Sequence, residues 1–337
     1  MANRLKHFRV AAGMTQTKVA KAVGITQSTY QRWEVGSIDI PDAQLVKLAK
    51  LLKSTSEALL GRHAPIRAAL YDDSAPQHLQ YYGEVAVHFQ SGCEPLLLSI
   101  SEEARDHLFQ SLHLNRRFVT VKDLGNRTVA IRTSAISDLY LSSEAYDDYG
   151  PEHHDAGYKE GTPLQFPDPR DWEIIECLAC DDVGIDDFAE LDVKRIEEAV
   201  TITEQQYATL IADGYIKPEN LEAEKTKNAA VTEEIFEMAT SVVYQLSNGK
   251  RRRVSVMFCN LYEAFGDLVE DGGENFDKDS SILLQNGYHR SVFINPDAVD
   301  YISIPTHLLD KSIDESSAEL LEELEGNGDV RIKRRRK

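Results

Sequence analysis

The sequence predicts a multidomain chain, in which an all-α domain of short helices is followed by an α+β body. The body is built from two similar β-β-α-β-β-β units separated by a helical acidic insert. Three observations predict this. Apolar residues recur at helical spacing over 5–60, they alternate at period two in two later stretches, and the segment between those stretches is helical in pattern and crowded with carboxylates. The 337 residues accordingly divide into 1–63, a linker 64–80, a first α+β unit 81–142, the insert 143–240, a second α+β unit 241–310, and an amphipathic helix with a basic tail, 311–337.

Residues 16–33 read QTKVAKAVGITQSTYQRW. Two short amphipathic helices cross closely only if the first is small where they touch and the connection reverses sharply, and Ala20 and Gly24 meet those demands. Tyr30 and Trp33, three apart on the second helix, close over Val19 and Val23 of the first. The opposite face is left to Gln27, Ser28, Gln31 and Arg32, and Thr26 stands where an N-cap orders the first turn. Two ordinary core helices could share any one of these features. Their coincidence in one continuous stretch points to a helix-turn-helix whose polar face meets DNA.

The flanks carry a wider resemblance. With LKHFRVAAGMTQ, VAKAVGITQSTYQRWEVG and PDAQLVKLAKLLKSTSEALL in order, residues 5–60 resemble the Cro and phage-repressor, or XRE, type of helix-turn-helix domain. The resemblance implies five helices, a phosphate anchor at Gln16, base reading by Gln27, Ser28 and Arg32, and a structural pair between Arg9 and Glu34. Gln31 shares the base-reading face, while Lys18, Lys21 and Thr26 stand where phosphate contacts would fall. One departure matters: the family commonly has a basic loop after its recognition helix, and this chain has GSIDIP followed by Asp42, so phosphate contacts there should be few. A single recognition helix covers only a few base pairs, and the expected partner is therefore a double-stranded DNA operator read by a homodimer.

Charge is distributed to match. The chain carries a formal −19, yet residues 1–63 hold ten Lys/Arg against four Asp/Glu, and residues 331–337 add six more cations. A basic head on an acidic body touches DNA with one face and keeps the rest away. Solubility alone also accounts for the acidity. Arg334, Arg335 and Arg336 of the tail are read as auxiliary DNA contacts, and Lys250 to Arg253 as a basic hairpin tip with either role.

In the body, Val85, Val87 and Phe89 alternate, Gly92 turns the chain, and Leu96, Leu98 and Ile100 alternate again. Ser101 caps a helix through Leu112, and strands follow at 118–121, 128–132 and 139–141. The same order returns with Val242 and Tyr244, Asn248-Gly249, a strand at 253–258, a helix capped by Asn260 and Glu263, and strands at 282–284, 291–294 and 301–304. Local similarity pairs Ile131 with Ile294, Ala135 with Ala298, Ile136 with Val299 and Asp138 with Asp300. Two such copies are expected to pack about a pseudo-twofold, each covering a sheet face of the other. Helices are expected in the insert at 172–180, 194–200, 204–213 and 232–239.

No catalytic set has convincing spacing. There is no H-E-x-x-H, P-loop or nucleophile elbow, and Cys177 and Cys180 have only His153 and His154 upstream as further metal candidates. The strip DDVGIDDFAELD lacks the spacing of a calcium loop. No enzyme activity, metal or cofactor is expected. Four scattered cysteines, no apolar run long enough for a membrane span and no secretory signal make the expected compartment the cytoplasm. The expected function is a sequence-specific transcriptional regulator, a repressor of bacterial or phage type, whose body self-associates or senses. The alternative is the antitoxin of a toxin-antitoxin pair, its acidic body neutralising a protein partner while its head represses the operon.

Overall fold

The computed structural model describes residues 3–70, 72, 74–114, 116–143, 165–256, 259–273, 281–286 and 290–334, without the side chains of 286 and 326–334. The chain forms two compact units, one of Met1–Pro65, Gly184–Lys194 and Asp310–Lys337, the other of Ile66–Val183 and Arg195–Leu309. A helical N-terminal domain is followed by a mixed α/β body with several antiparallel sheets.

In the first unit five short helices run in succession: α1 Leu5–Ala11, α2 Gln16–Val23, α3 Gln27–Glu34, α4 Asp42–Leu51 and α5 Ser56–Leu59. None is long enough to be stable alone, so packing holds them. Leu5, Val19, Tyr30, Leu48 and Leu59 are wholly enclosed in one cluster with Val23, Trp33 and Leu45. Gly24 ends α2 at φ 78°, a left-handed conformation that glycine adopts without a Cβ penalty, and Ile25 N–H then returns to Ala20 C=O at 2.9 Å.

The body begins with β1 Tyr81–Phe89, β2 Leu96–Ser101, α6 Glu102–Leu112, β3 Phe118–Lys122, β4 Arg127–Arg132 and β5 Ile136–Ser143. After α7 Pro169–Ala179, α8 Glu190–Val200, α9 Glu204–Ala212 and α10 Leu221–Thr240 come β6 Ser241–Leu246, β7 Arg251–Ser255 and α11 Leu261–Asp271. Last are β8 Ile282–Asn286, β9 Arg290–Ile294, β10 Val299–Pro305 and α12 Thr306–Arg334. Among the described residues the strands within the sheets pair antiparallel, in the orders β2-β1-β5, β3-β4-β10-β6-β7 and β8-β9. Ser101 and Asn260 cap α6 and α11 by accepting from the N–H of Ala104 and Glu263.

Several expectations change. The two ββαβββ stretches do not simply cover each other's sheet faces. Strand β4 pairs with β10, with Tyr301 opposite Ile131, so one five-stranded sheet takes strands from both. Asp138 and Asp300 are not counterparts. Asp138 stands opposite His88, while Asp300 is the residue skipped where the register shifts between Val299 and Tyr301. Helix α10 starts eleven residues before the expected 232, because LEAEKTKNAA is rich in helix formers but lacks an apolar stripe. Helix α12, expected at 313–324, spans twenty-nine residues and takes in the first four of the basic tail. Asn126 starts it, accepting from the N–H groups of Thr306 and His307. His153 and His154 lie outside the described residues.

Candidate nucleic-acid interface

The site rests on two caps. Thr15 Oγ1 accepts from Lys18 N–H at the start of α2, and Thr26 Oγ1 accepts from Thr29 N–H at the start of α3, each at 3.2 Å. Capping satisfies donors that a short helix would otherwise leave open and fixes the first turn of α3 before any partner arrives. Tyr30 and Trp33 face inward against the α2 valines. Gln27, Ser28, Gln31 and Arg32 are all exposed, so the four expected base-reading residues share one solvent-facing surface of α3. Within that surface Ser28 Oγ lies 3.0 Å from Thr26 Oγ1, and Arg32 Nε donates to the Ser28 carbonyl at 3.4 Å. Lys18 and Lys21 are exposed on α2, and Thr26 is exposed at the head of α3.

Arg9 and Glu34 meet as expected: Arg9 Nε donates to Glu34 Oε1 at 2.8 Å, with side-chain exposures of 2% and 1%. A pair so enclosed needs its remaining donors and acceptors filled. Arg9 Nη1 donates to the Met14 carbonyl at 2.9 Å, and the Gln16 side-chain amide donates to Glu34 Oε2. The Gln16 side chain, expected at a phosphate, is thus turned toward Glu34. Its backbone N–H, at the N-terminus of α2, donates to Glu322 Oε1 of α12 at 2.8 Å.

Sequence reasoning missed that contact and its neighbours. Asp314 Oδ2 lies 2.9 Å from His7 Nδ1, Glu315 3.9 Å from Lys6 Nζ, and Glu322 3.8 Å from Arg9 Nη1. Hydrogen bonding to Asp314 holds the His7 imidazole above its ordinary value of 6.5, helped by the charges of Asp314 and Asp310 and opposed by burial and Arg4. The available signal was spacing, since Asp310, Asp314, Glu315, Glu322 and Glu325 fall on one side of a helix. The side chain of Arg334 is not described, and Arg335 and Arg336 lie outside the described residues, so these expected auxiliary contacts have no place in the geometry.

Residues 5–60 match the sequence model of the family described as Helix-turn-helix. The N-terminal domain is therefore a helix-turn-helix of XRE type, and this match covers none of the body. No curated protein and no solved structure matches the chain. The domain supports a DNA-binding transcription regulator. Among the described residues, no helix is long and apolar enough to cross a membrane.

Proposed function

We propose that this protein is a sequence-specific, cytoplasmic transcriptional repressor that reads a two-part DNA operator as a homodimer. One observation carries the proposal: the exposed outer face of α3 presents two amides, a hydroxyl and a guanidinium on a helix whose inner face is packed and whose first turn is capped. Such groups suit base edges in the major groove, Gln27 matching adenine and Arg32 guanine. Gln16, Lys18, Lys21 and Thr26 would contact the backbone, and Arg334, Arg335 and Arg336 would add phosphate contacts from the tail.

The body serves self-association or sensing and performs no catalysis in this reading. It consists of two copies of one unit. That view is supported by a shared pairing scheme: β1 pairs with β2 and β5 and β3 with β4, while β6 pairs with β7 and β10 and β8 with β9. A register shift that skips Ser137 in β5 has its counterpart at Asp300 in β10. Footprinting together with sedimentation tests the dimer. Two half-sites about 10 base pairs apart, or at a multiple of that spacing, are expected on a bound dimer. A single half-site under a monomer would refute it.

A further inference from the structure

Helix α12 places an acidic face against the reading domain. The most telling contact is that of Glu322, whose carboxylate takes the backbone N–H of Gln16 at the start of α2. Open N–H groups and the positive end of the helix dipole make such a terminus an anion site, and in a DNA-bound helix-turn-helix this first helix crosses the phosphate backbone. Two further basic groups on α1 are engaged by the same helix, His7 by Asp314 and Lys6 by Glu315. The compact unit containing this domain also takes in residues 184–194, with Asp186, Asp187, Glu190 and Asp192. Glu325 Oε2, one turn beyond Glu322, is enclosed with no hydrogen-bond partner among the described residues. An enclosed acceptor without a donor carries a desolvation cost, which lowers the net stability of α12 as it is placed.

We propose that α12 is an autoinhibitory element whose Glu322 carboxylate stands in for a DNA phosphate at the N-terminus of α2. This rests on the DNA-binding reading above. Duplex DNA and α12 compete for the same donors, so the docked chain binds DNA more weakly than a chain in which Glu322 has been neutralised. The competition acts on backbone contacts and leaves the face of α3 untouched, and it therefore shifts affinity for all sequences together.

The test uses full-length protein and a short random-sequence duplex at low and moderate salt. Glu322→Gln should tighten binding about fivefold at low salt, with a smaller gain at moderate salt, because the removed charge and the helix terminus act through screened electrostatics. Glu322→Ala, which also removes the acceptor, should do at least as much. Glu323→Gln makes the same charge change at an exposed position on the other side of the helix and should alter affinity by less than about twofold. Equal affinities for the wild-type, Glu322 and Glu323 proteins would overturn the autoinhibition while leaving DNA binding intact. If none of the proteins binds the duplex, the DNA-binding reading itself falls and autoinhibition with it.

Discussion

The two sides of the helix-turn-helix domain differ in what occupies them. On the recognition side, Gln27, Ser28, Gln31 and Arg32 face solvent, and the hydrogen bonds described above for Ser28 and Arg32 stay within the first turns of α3. On the other side, Lys6, His7, Arg9 and the Gln16 amide are engaged by carboxylates of Glu34 or of α12. Base-edge groups set discrimination between sequences, whereas phosphate contacts set affinity for all of them. In the proposed reading the domain thus keeps its discriminating groups open and holds part of its affinity in reserve. Each can be changed without the other.

The largest expected effect lies where the two sides share support. Glu34→Ala would strand the Arg9 guanidinium in the core and leave the Gln16 amide without its acceptor, destabilising the domain by about 3–5 kcal/mol. Thermal unfolding of the full chain checks this. A loss below about 1 kcal/mol would mean that Arg9 finds other partners or water.

Next are the proposed base-reading residues. Gln27→Ala or Arg32→Ala should each cost about 1–3 kcal/mol on a cognate site and relax preference at one position, while Lys18→Ala and Lys21→Ala weaken cognate and random duplexes alike. Equal losses on both duplexes for all four variants would erase the distinction between the two sides. The basic tail should behave like the lysines. Deleting 331–337 is expected to flatten the salt dependence by about 0.9 for each phosphate that the tail had neutralised, and superimposable slopes would take Arg334, Arg335 and Arg336 out of the interface.

The smallest effect is the pH response of α12. A histidine whose pKa rises on folding adds stability that is complete below its unfolded value, ordinarily 6.5, and is lost as pH climbs through the folded value. Docking of α12 should accordingly be firmer in mildly acidic solution than at alkaline pH. NMR titration of His7 should give a midpoint above 6.5 that returns toward it in Asp314→Asn. A midpoint indifferent to that substitution would dissociate His7 from α12.

How much was legible follows from sequence distance. The helix-turn-helix was readable because its determinants are local: a cap at Thr26, a left-handed glycine at 24, and aromatic residues that pack on a helix ten positions away. Arg9 and Glu34, twenty-five apart, were found only through the family resemblance. The Glu322 contact with Gln16 spans 306 positions, and no periodicity in either segment names the other. Arg127 makes the same point in the body. Its guanidinium is buried like that of Arg9, yet it is held by the backbone carbonyls of Met238, Ser241 and Ser303 and by the Ser303 hydroxyl. Burial holds its pKa down at about 10. Carbonyl acceptors leave no trace in residue type, so a buried cation satisfied by backbone is invisible in sequence. In the strands, alternation located each element, but pairing partners and the register shifts at Ser137 and Asp300 depend on contacts that alternation does not encode.

The most direct test of the central claim is selection of binding sequences from a pool of random duplexes by full-length wild-type protein, repeated with Gln27→Ala and Arg32→Ala. The account predicts that the wild-type protein enriches one two-part sequence, and that each variant loses preference at a single position in each half. Enrichment of no sequence above the starting pool, or an identical motif from all three proteins, would contradict it.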